Sequence, residues 1–159
     1  MRKAGVTRPR GVQPKLNSRY FAQIDSEKKA YFLGLLYADG HIDHTVNKRN
    51  FTISISLNEE DGYLIEQFAE EIQTNLKVKH YQRLGENGKM RHTACLFLSS
   101  RQMYYDLLAQ GMTEQKVQNL NHLPKLSDDL MKPFLRGYFD GDGSVFESIS
   151  KFTGKKALA

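Results

Sequence analysis

The chain has 159 residues, 40% hydrophobic and 26% charged, with a formal net charge of +5, a balance that suits one globular domain and excludes wholesale disorder. No apolar run reaches the roughly 20 residues of a membrane-spanning helix. The lone Cys95 excludes a disulfide-stapled scaffold and a zinc site built on cysteine pairs, and points to a reducing compartment. The charge is unevenly placed. Residues 1–20 carry +6 from Arg2, Lys3, Arg8, Arg10, Lys15 and Arg19, while the remainder carries −1. This arm, residues 1–21, contains Gly5, Pro9, Gly11 and Pro14. It reads as a solvated tail, as a segment that lies along phosphates, or as an organellar targeting peptide.

After the arm, Ser26 is an N-cap signal ahead of the apolar run Ala30 to Ala38. That helix is predicted to end at Asp39-Gly40, with Gly40 supplying the left-handed position that closes many helices. A polar loop, His41 to Asn50, follows, with room for one additional strand. Residues 51–57 alternate strictly, with Phe51, Ile53, Ile55 and Leu57 on one face and Thr52, Ser54 and Ser56 on the other, which predicts a half-buried strand. Asn58 and the acids Glu59, Glu60 and Asp61 are expected to open a helix whose apolar positions are Leu64, Ile65, Phe68 and Ile72. Strands at about 77–84 and 90–98 flank the hairpin connection Gly85-Glu86-Asn87-Gly88. A helix from Ser100 to Gln110 stops at Gly111. A link, residues 113–126, leads to Ser127 and a last helix running towards Asp140-Gly141-Asp142-Gly143, with Pro133 kinking its first turns or marking its start.

The first and last helices end alike. Phe32-Leu33-Gly34-Leu35-Leu36-Tyr37-Ala38-Asp39-Gly40 matches Leu135-Arg136-Gly137-Tyr138-Phe139-Asp140-Gly141-Asp142-Gly143 at an offset of 103 residues. Gly34 with Ala38, and Gly137 with Gly141, form a bare stripe on each helix that lets two backbones approach closely. Asp39 and Asp142 fall at helix C-termini, where unpaired carbonyls disfavour a carboxylate. If the bare stripes pack together, both acids arrive at one end of the pair. With free carbonyls at Gly40 and Gly143 they make a hard oxygen site suited to Mg²⁺. Paired carboxylates holding a divalent metal beside a phosphate are equipment for phosphodiester hydrolysis.

At these residues the chain resembles the LAGLIDADG homing endonuclease family, in its bacterial and phage-type members. The resemblance spans roughly residues 20–150. It implies an α+β fold built from αββαββα repeats, with a saddle-shaped antiparallel sheet astride double-stranded DNA and the two motif helices as the interface between repeats. It also implies that Asp39 and Asp142 bind the metals that cut the two strands, and that Asp140, at the place Tyr37 holds in the first motif, is structural.

A sheet lying on DNA agrees with the charge pattern. Lys77, Lys79, Arg83, Lys89 and Arg91, against Glu86 alone, make the predicted hairpin +4. Together with Thr52, Ser54 and Ser56 they suit contacts to phosphates and base edges, although a solvated surface explains the same composition. The stretch 59–71 carries six acids and no base, so it is expected on the side away from DNA. Lys116 is a candidate to stabilise the charge that develops on a scissile phosphate. His41, Asp43 and His44 have metal-like spacing but read as a solvated loop. Cys95 reads as core packing, and Tyr104 and Tyr105 as a packing face.

The first repeat, 22–112, looks whole. The second, 127–159, holds its motif and then only residues 144–159, too few for a sheet like the first. The chain is therefore expected to be a fragment, a truncated product, or a chain completed by a second one. Two functional readings stand: a Mg²⁺-dependent, site-specific DNA endonuclease, or a non-cutting nucleic-acid binder on the same scaffold, either a maturase acting on intron RNA or a DNA-binding regulator, with an inactive truncated fragment as a further alternative. The expected setting is the cytoplasm of a bacterium or of a phage-infected cell, with an organelle as the alternative.

Overall fold

The computed structural model describes residues 14–45, 50–85, 88–114 and 123–142, and the backbone of 147–149 and 156–158. Of Asp142 it describes the backbone alone. Helix α1 (Glu27–Asp39) begins where Ser26 accepts a hydrogen bond from the Lys29 amide, satisfying one of the orphan donors of the first turn. The chain passes directly into β1 (Gly40–Thr45) and returns through β2 (Asn50–Asn58). A 3₁₀ turn (Glu59–Asp61) leads into α2 (Gly62–Glu71), and the hairpin β3 (Lys79–Leu84) and β4 (Met90–Ser99) follows. Helix α3 (Arg101–Ala109) is capped by Ser100, and α4 (Asp128–Asp142) carries Pro133 in its interior. Two short strands, β5 (Glu147–Ile149) and β6 (Lys156–Leu158), pair antiparallel. No helix among the described residues is long and apolar enough to cross a membrane.

Strands β1 to β4 form one antiparallel sheet in the order β1-β2-β4-β3. The alternation of residues 51–57 is realised as expected: Phe51, Ile53, Ile55 and Leu57 are buried, and their register partners Leu98, Leu96 and Ala94 continue the apolar face into β4. Among the described residues, the helices pack on this face. From α2 come Leu64, Ile65 and Phe68, and from α3 Met103, Tyr104 and Leu107, all buried in the same core. Each large side chain buried here contributes roughly 1.5–3 kcal/mol relative to exposure. Helix α1 is covered on nearly every side, from Ala30 and Phe32 through Ala38, because it lies between this core and α4. The acidic α2 thus stands behind the sheet, on the opposite side from its uncovered face.

Several local expectations are corrected. Gly40 has φ −75° and ψ 155°, extended rather than left-handed, and it opens a strand. Glycine is needed there because a Cβ would stand 2.4 Å from the Leu36 carbonyl oxygen. Residues 40–45 form β1, so the stretch 41–50 does hold the additional strand for which it had room. The Asn58 side chain makes no capping bond, and Glu59 to Asp61 form the 3₁₀ turn. Glu59 turns instead to His80, 2.7 Å away. Strand β3 starts at Lys79, so Lys77 precedes it. Helix α4 begins at Asp128, where the Ser127 carbonyl accepts from the amides of Leu130 and Met131, so Pro133 does not mark its start. The end of the basic arm belongs to the packed body: Tyr20 and Phe21 are buried and the Asn17 amide donates to the Ile72 carbonyl.

Candidate nucleic-acid interface and paired carboxylates

Among the described residues, helices α1 and α4 make the most intimate contact between elements, and the bare stripes are what meet. A Cβ at Gly34 would lie 1.9 Å from the Phe134 carbonyl oxygen, and one at Gly137 would lie 2.0 Å from that of Tyr31. The next contacts repeat the pattern, with the Tyr138 amide 2.9 Å from the first position and the Leu35 amide 3.1 Å from the second. Each pair converts into the other by the 103-residue offset of the motifs. The helices are therefore parallel and related by a local pseudo-twofold. Further along, a Cβ at Gly141 would lie 2.6 Å from both the Ala38 Cβ and the Asp39 Oδ2. Gly34, Ala38, Gly137 and Gly141 all sit at this interface.

The equivalence breaks at one position in an instructive way. The Tyr37 ring meets Phe134 edge-on at 5.1 Å between centroids. The equivalent positions, Asp140 and Tyr31, are joined by a hydrogen bond from the Tyr31 hydroxyl to Asp140 Oδ2 at 2.8 Å. Tyr37 donates in turn to the Gln110 carbonyl at 2.7 Å. Burial raises both tyrosine pKa values above their usual range, with the Asp140 bond adding to the shift at Tyr31. Asp140 is thus engaged in holding the helix pair. The same symmetry exposes an asymmetry in covering: Phe32 and Leu36 are buried, whereas their counterparts on α4, Leu135 and Phe139, are 42% and 57% exposed.

Both helices end on an aspartate, and neither has a basic residue in its last turn. Asp39 is half-buried, with its Oδ2 fully covered and close to Gly141, and α4 ends at Asp142, the residue after Gly141. The backbone thus brings the two chain positions to one end of the helix pair. Gly143 and Lys116 lie outside the described residues, as does the side chain of Asp142.

Asp39 is followed at once by β1, so the carboxylate end of the helix pair borders the edge of the sheet. The uncovered face is set by strand register. Asp43 pairs with Thr52 and His41 with Ser54, while Thr52, Ser54 and Ser56 pair with Ser99, Phe97 and Cys95. Lys79 pairs with Cys95, Tyr81 with Thr93 and Arg83 with Arg91. All of these residues share one face, and hydrogen bonds among them run along it: Asn50 donates to Thr52, Ser99 to Asn50 and Thr45 to Asp43. Of the five bases singled out from the sequence, Lys79, Arg83 and Arg91 stand on this face. Lys77 and Lys89 lie outside the strands. Arg83 and Arg91 are directly opposed, a like-charge pair that costs stability in the isolated protein and suits a polyanion.

Sequence reasoning missed part of the surface. His41 and Asp43 belong to it because β1 exists, and Phe97 and Tyr81 belong to it by the period of two along β4 and β3. Cys95 is buried, yet it lies on this side of the sheet and not in the core. It accepts a hydrogen bond from Ser56 at 3.1 Å. The odd-numbered positions 91 to 99 carried the signal, since they alternate against Ala94, Leu96 and Leu98. His44 lies on the other face, stacked on Phe51 at 4.1 Å between ring centroids, so the His41, Asp43 and His44 spacing does not make one cluster.

The layering, sheet order and helix pair define a mixed α+β protein with a homing-endonuclease-like fold. A homing endonuclease, I-WcaI, solved bound to its DNA recognition sequence, superimposes with a TM-score of 0.51 at 13% identity, covering 82% of this chain and 59% of that one. The replication factor C small subunit of Methanocaldococcus jannaschii is 29% identical over 137 residues, 84% of this chain. The chain spans only 7% of the length of that relative. No family model matches the sequence.

Proposed function

We propose that this chain is the DNA-gripping and metal-holding part of a LAGLIDADG-type homing endonuclease, which makes a site-specific double-strand cut by Mg²⁺-dependent phosphodiester hydrolysis. The single observation that carries the reading is the reciprocal glycine contact of α1 and α4, which brings the C-termini of two aspartate-ended helices together at the edge of a polar, basic sheet face. The fold shared with I-WcaI supports it.

The donor types suit a hard divalent cation: the carboxylates of Asp39 and Asp142 and the backbone carbonyls of Gly40 and Gly143 are all oxygen ligands, with no soft ligand among them. A metal bound there supplies an acidified water and charge neutralisation at the phosphate. The residues of the chain do the rest. Lys79, Arg83 and Arg91 hold phosphates, Thr52, Ser54 and Ser56 meet backbone or base edges, and α2 keeps its acids behind the sheet. Tyr31 and Asp140 keep the helix pair in register. Lys77 and Lys89 add charge at the ends of the hairpin, and Lys116 is assigned the role of stabilising the charge that develops on the phosphate. Exposed Leu135 and Phe139 support a second sheet packed on α4 as the first packs on α1, contributed by further polypeptide or by a second chain.

The test is cleavage of a plasmid library with Mg²⁺, with Asp39→Asn and Asp142→Asn as controls that still bind DNA. Cutting by the parent protein and by neither variant is expected. Binding with no cutting, joined to acceleration of intron RNA splicing, would identify a maturase instead.

A further inference from the structure

One large apolar side chain stands in the middle of the uncovered face. Phe97 is 45% exposed on the inner strand β4. Its cross-strand partner on β2 is Ser54, and its neighbours along the same face of β4 are Cys95 and Ser99. All three are short, so the ring stands above its surroundings. Beside it, Lys79 holds its ammonium 5.8 Å from the ring centroid, within cation–π range. Scattered exposed apolar residues are common. This one is distinguished by its central position on a mainly polar face, where the other exposed aromatic ring, Tyr81, stands on the edge strand β3.

We infer that Phe97 is a specificity residue that reads the methyl group of a thymine in the major groove. The inference rests on the duplex-binding reading above. Of the groups that a base pair presents in the major groove, the thymine C5 methyl is the apolar one, and phenylalanine is among the side chains that contact it. The surrounding hydroxyls satisfy polar base edges, and Lys79 carries positive charge to the same spot. Stacking on successive unpaired bases fits less well. The other exposed aromatic ring on this face, Tyr81, pairs with Thr93, four residues from Phe97, on the order of 13 Å along the strand. Two rings so placed do not form a platform for adjacent bases.

The experiment is selection of bound sequences from a randomised duplex pool by the full chain, followed by affinity measurements on the winner. Deoxyuridine then replaces each thymine in turn, which removes only the methyl group. One position is expected to lose about four-fold in affinity, the value of one buried methyl-sized group. Phe97→Ser is expected to bind the thymine and deoxyuridine duplexes equally, with an unchanged melting temperature. Discrimination that survives in Phe97→Ser, or no sensitive position in the parent protein, overturns the inference and leaves duplex binding intact. Retention of single strands in preference to every duplex overturns both readings.

Discussion

Gly34 and Gly137 occupy the same place on two different helices and make the same contact with each other's partner. The first lies against the Phe134 carbonyl and the second against that of Tyr31, at virtual Cβ distances of 1.9 and 2.0 Å. A side chain at either position strikes backbone, which cannot swing aside. The helix pair, and with it the position of Asp39, depends on two missing methyl groups.

Gly34→Ala and Gly137→Ala should therefore cost about 3 kcal/mol or more each, at or beyond the upper end of ordinary overpacking. Urea denaturation measures this directly, and the two effects should be similar because the glycines are equivalent. Gly88→Ala makes a useful contrast. Its φ is +73° but a Cβ there meets nothing, so the cost should stay near 1 kcal/mol. Equal effects at all three positions would show that the helix contact is looser than described.

Tyr31→Phe removes the hydroxyl that holds Asp140 at 2.8 Å, and should cost about 1 kcal/mol. Asp140→Asn should keep DNA cutting at a rate close to the parent protein, in contrast to Asp39→Asn. A loss of cutting in Asp140→Asn as complete as in Asp39→Asn would move Asp140 from the helix interface into the reaction.

Alkaline pH should unfold the protein in a defined way. Tyr20, Tyr31, Tyr37 and Tyr104 all have pKa values raised first of all by burial. A raised folded value means that the folded state holds its protons more tightly than the unfolded one. The associated stability is fully present below about pH 10, the ordinary tyrosine value, and is lost as pH climbs through the higher folded values. Melting temperature followed against pH should fall beyond that point, and Tyr37→Phe should make the fall shallower. A flat profile through the tyrosine range contradicts the burial of these hydroxyls.

The two motif helices differ in what lies over them. Phe32→Ala and Leu36→Ala remove buried side chains and should cost about 2–5 kcal/mol each. Leu135→Gln and Phe139→Gln, at the equivalent exposed positions, should stay within about 0.5 kcal/mol in this chain. In a complex with a second sheet, the same two variants should become strongly destabilising.

Much of this arrangement was legible in the residues. The Ser26 cap, the alternation of 51–57, the hairpin and the doubled motif each express a local rule, and the motif foretold which glycines would touch. Strand β1 was legible only as room for a strand, because Ile42 is its one large apolar residue and its inward positions on either side are a glycine and a histidine whose stacking partner, Phe51, is supplied by β2. Gly40 misled because glycine after a helix usually signals a left-handed backbone, whereas here it answers the Leu36 carbonyl. The side of the sheet on which Cys95 falls was legible in its alternation against Ala94 and Leu96, but its partner Ser56 came only with the strand register. Such facts belong to pairings between strands, which composition does not encode.

The central claim is that the sheet face carrying Lys79, Arg83 and Arg91 is where DNA lies, and the salt dependence of duplex binding tests it most directly. Affinity for a mixed-sequence duplex should fall steeply with salt, and Lys79→Ala, Arg83→Ala and Arg91→Ala combined should reduce the slope of log K against log salt by about 2.7, near 0.9 for each phosphate that is no longer neutralised. Removal of residues 1–13 should lower the slope further if the basic arm also follows the backbone. An unchanged slope in the triple variant, with the fold intact, would place DNA elsewhere on the molecule.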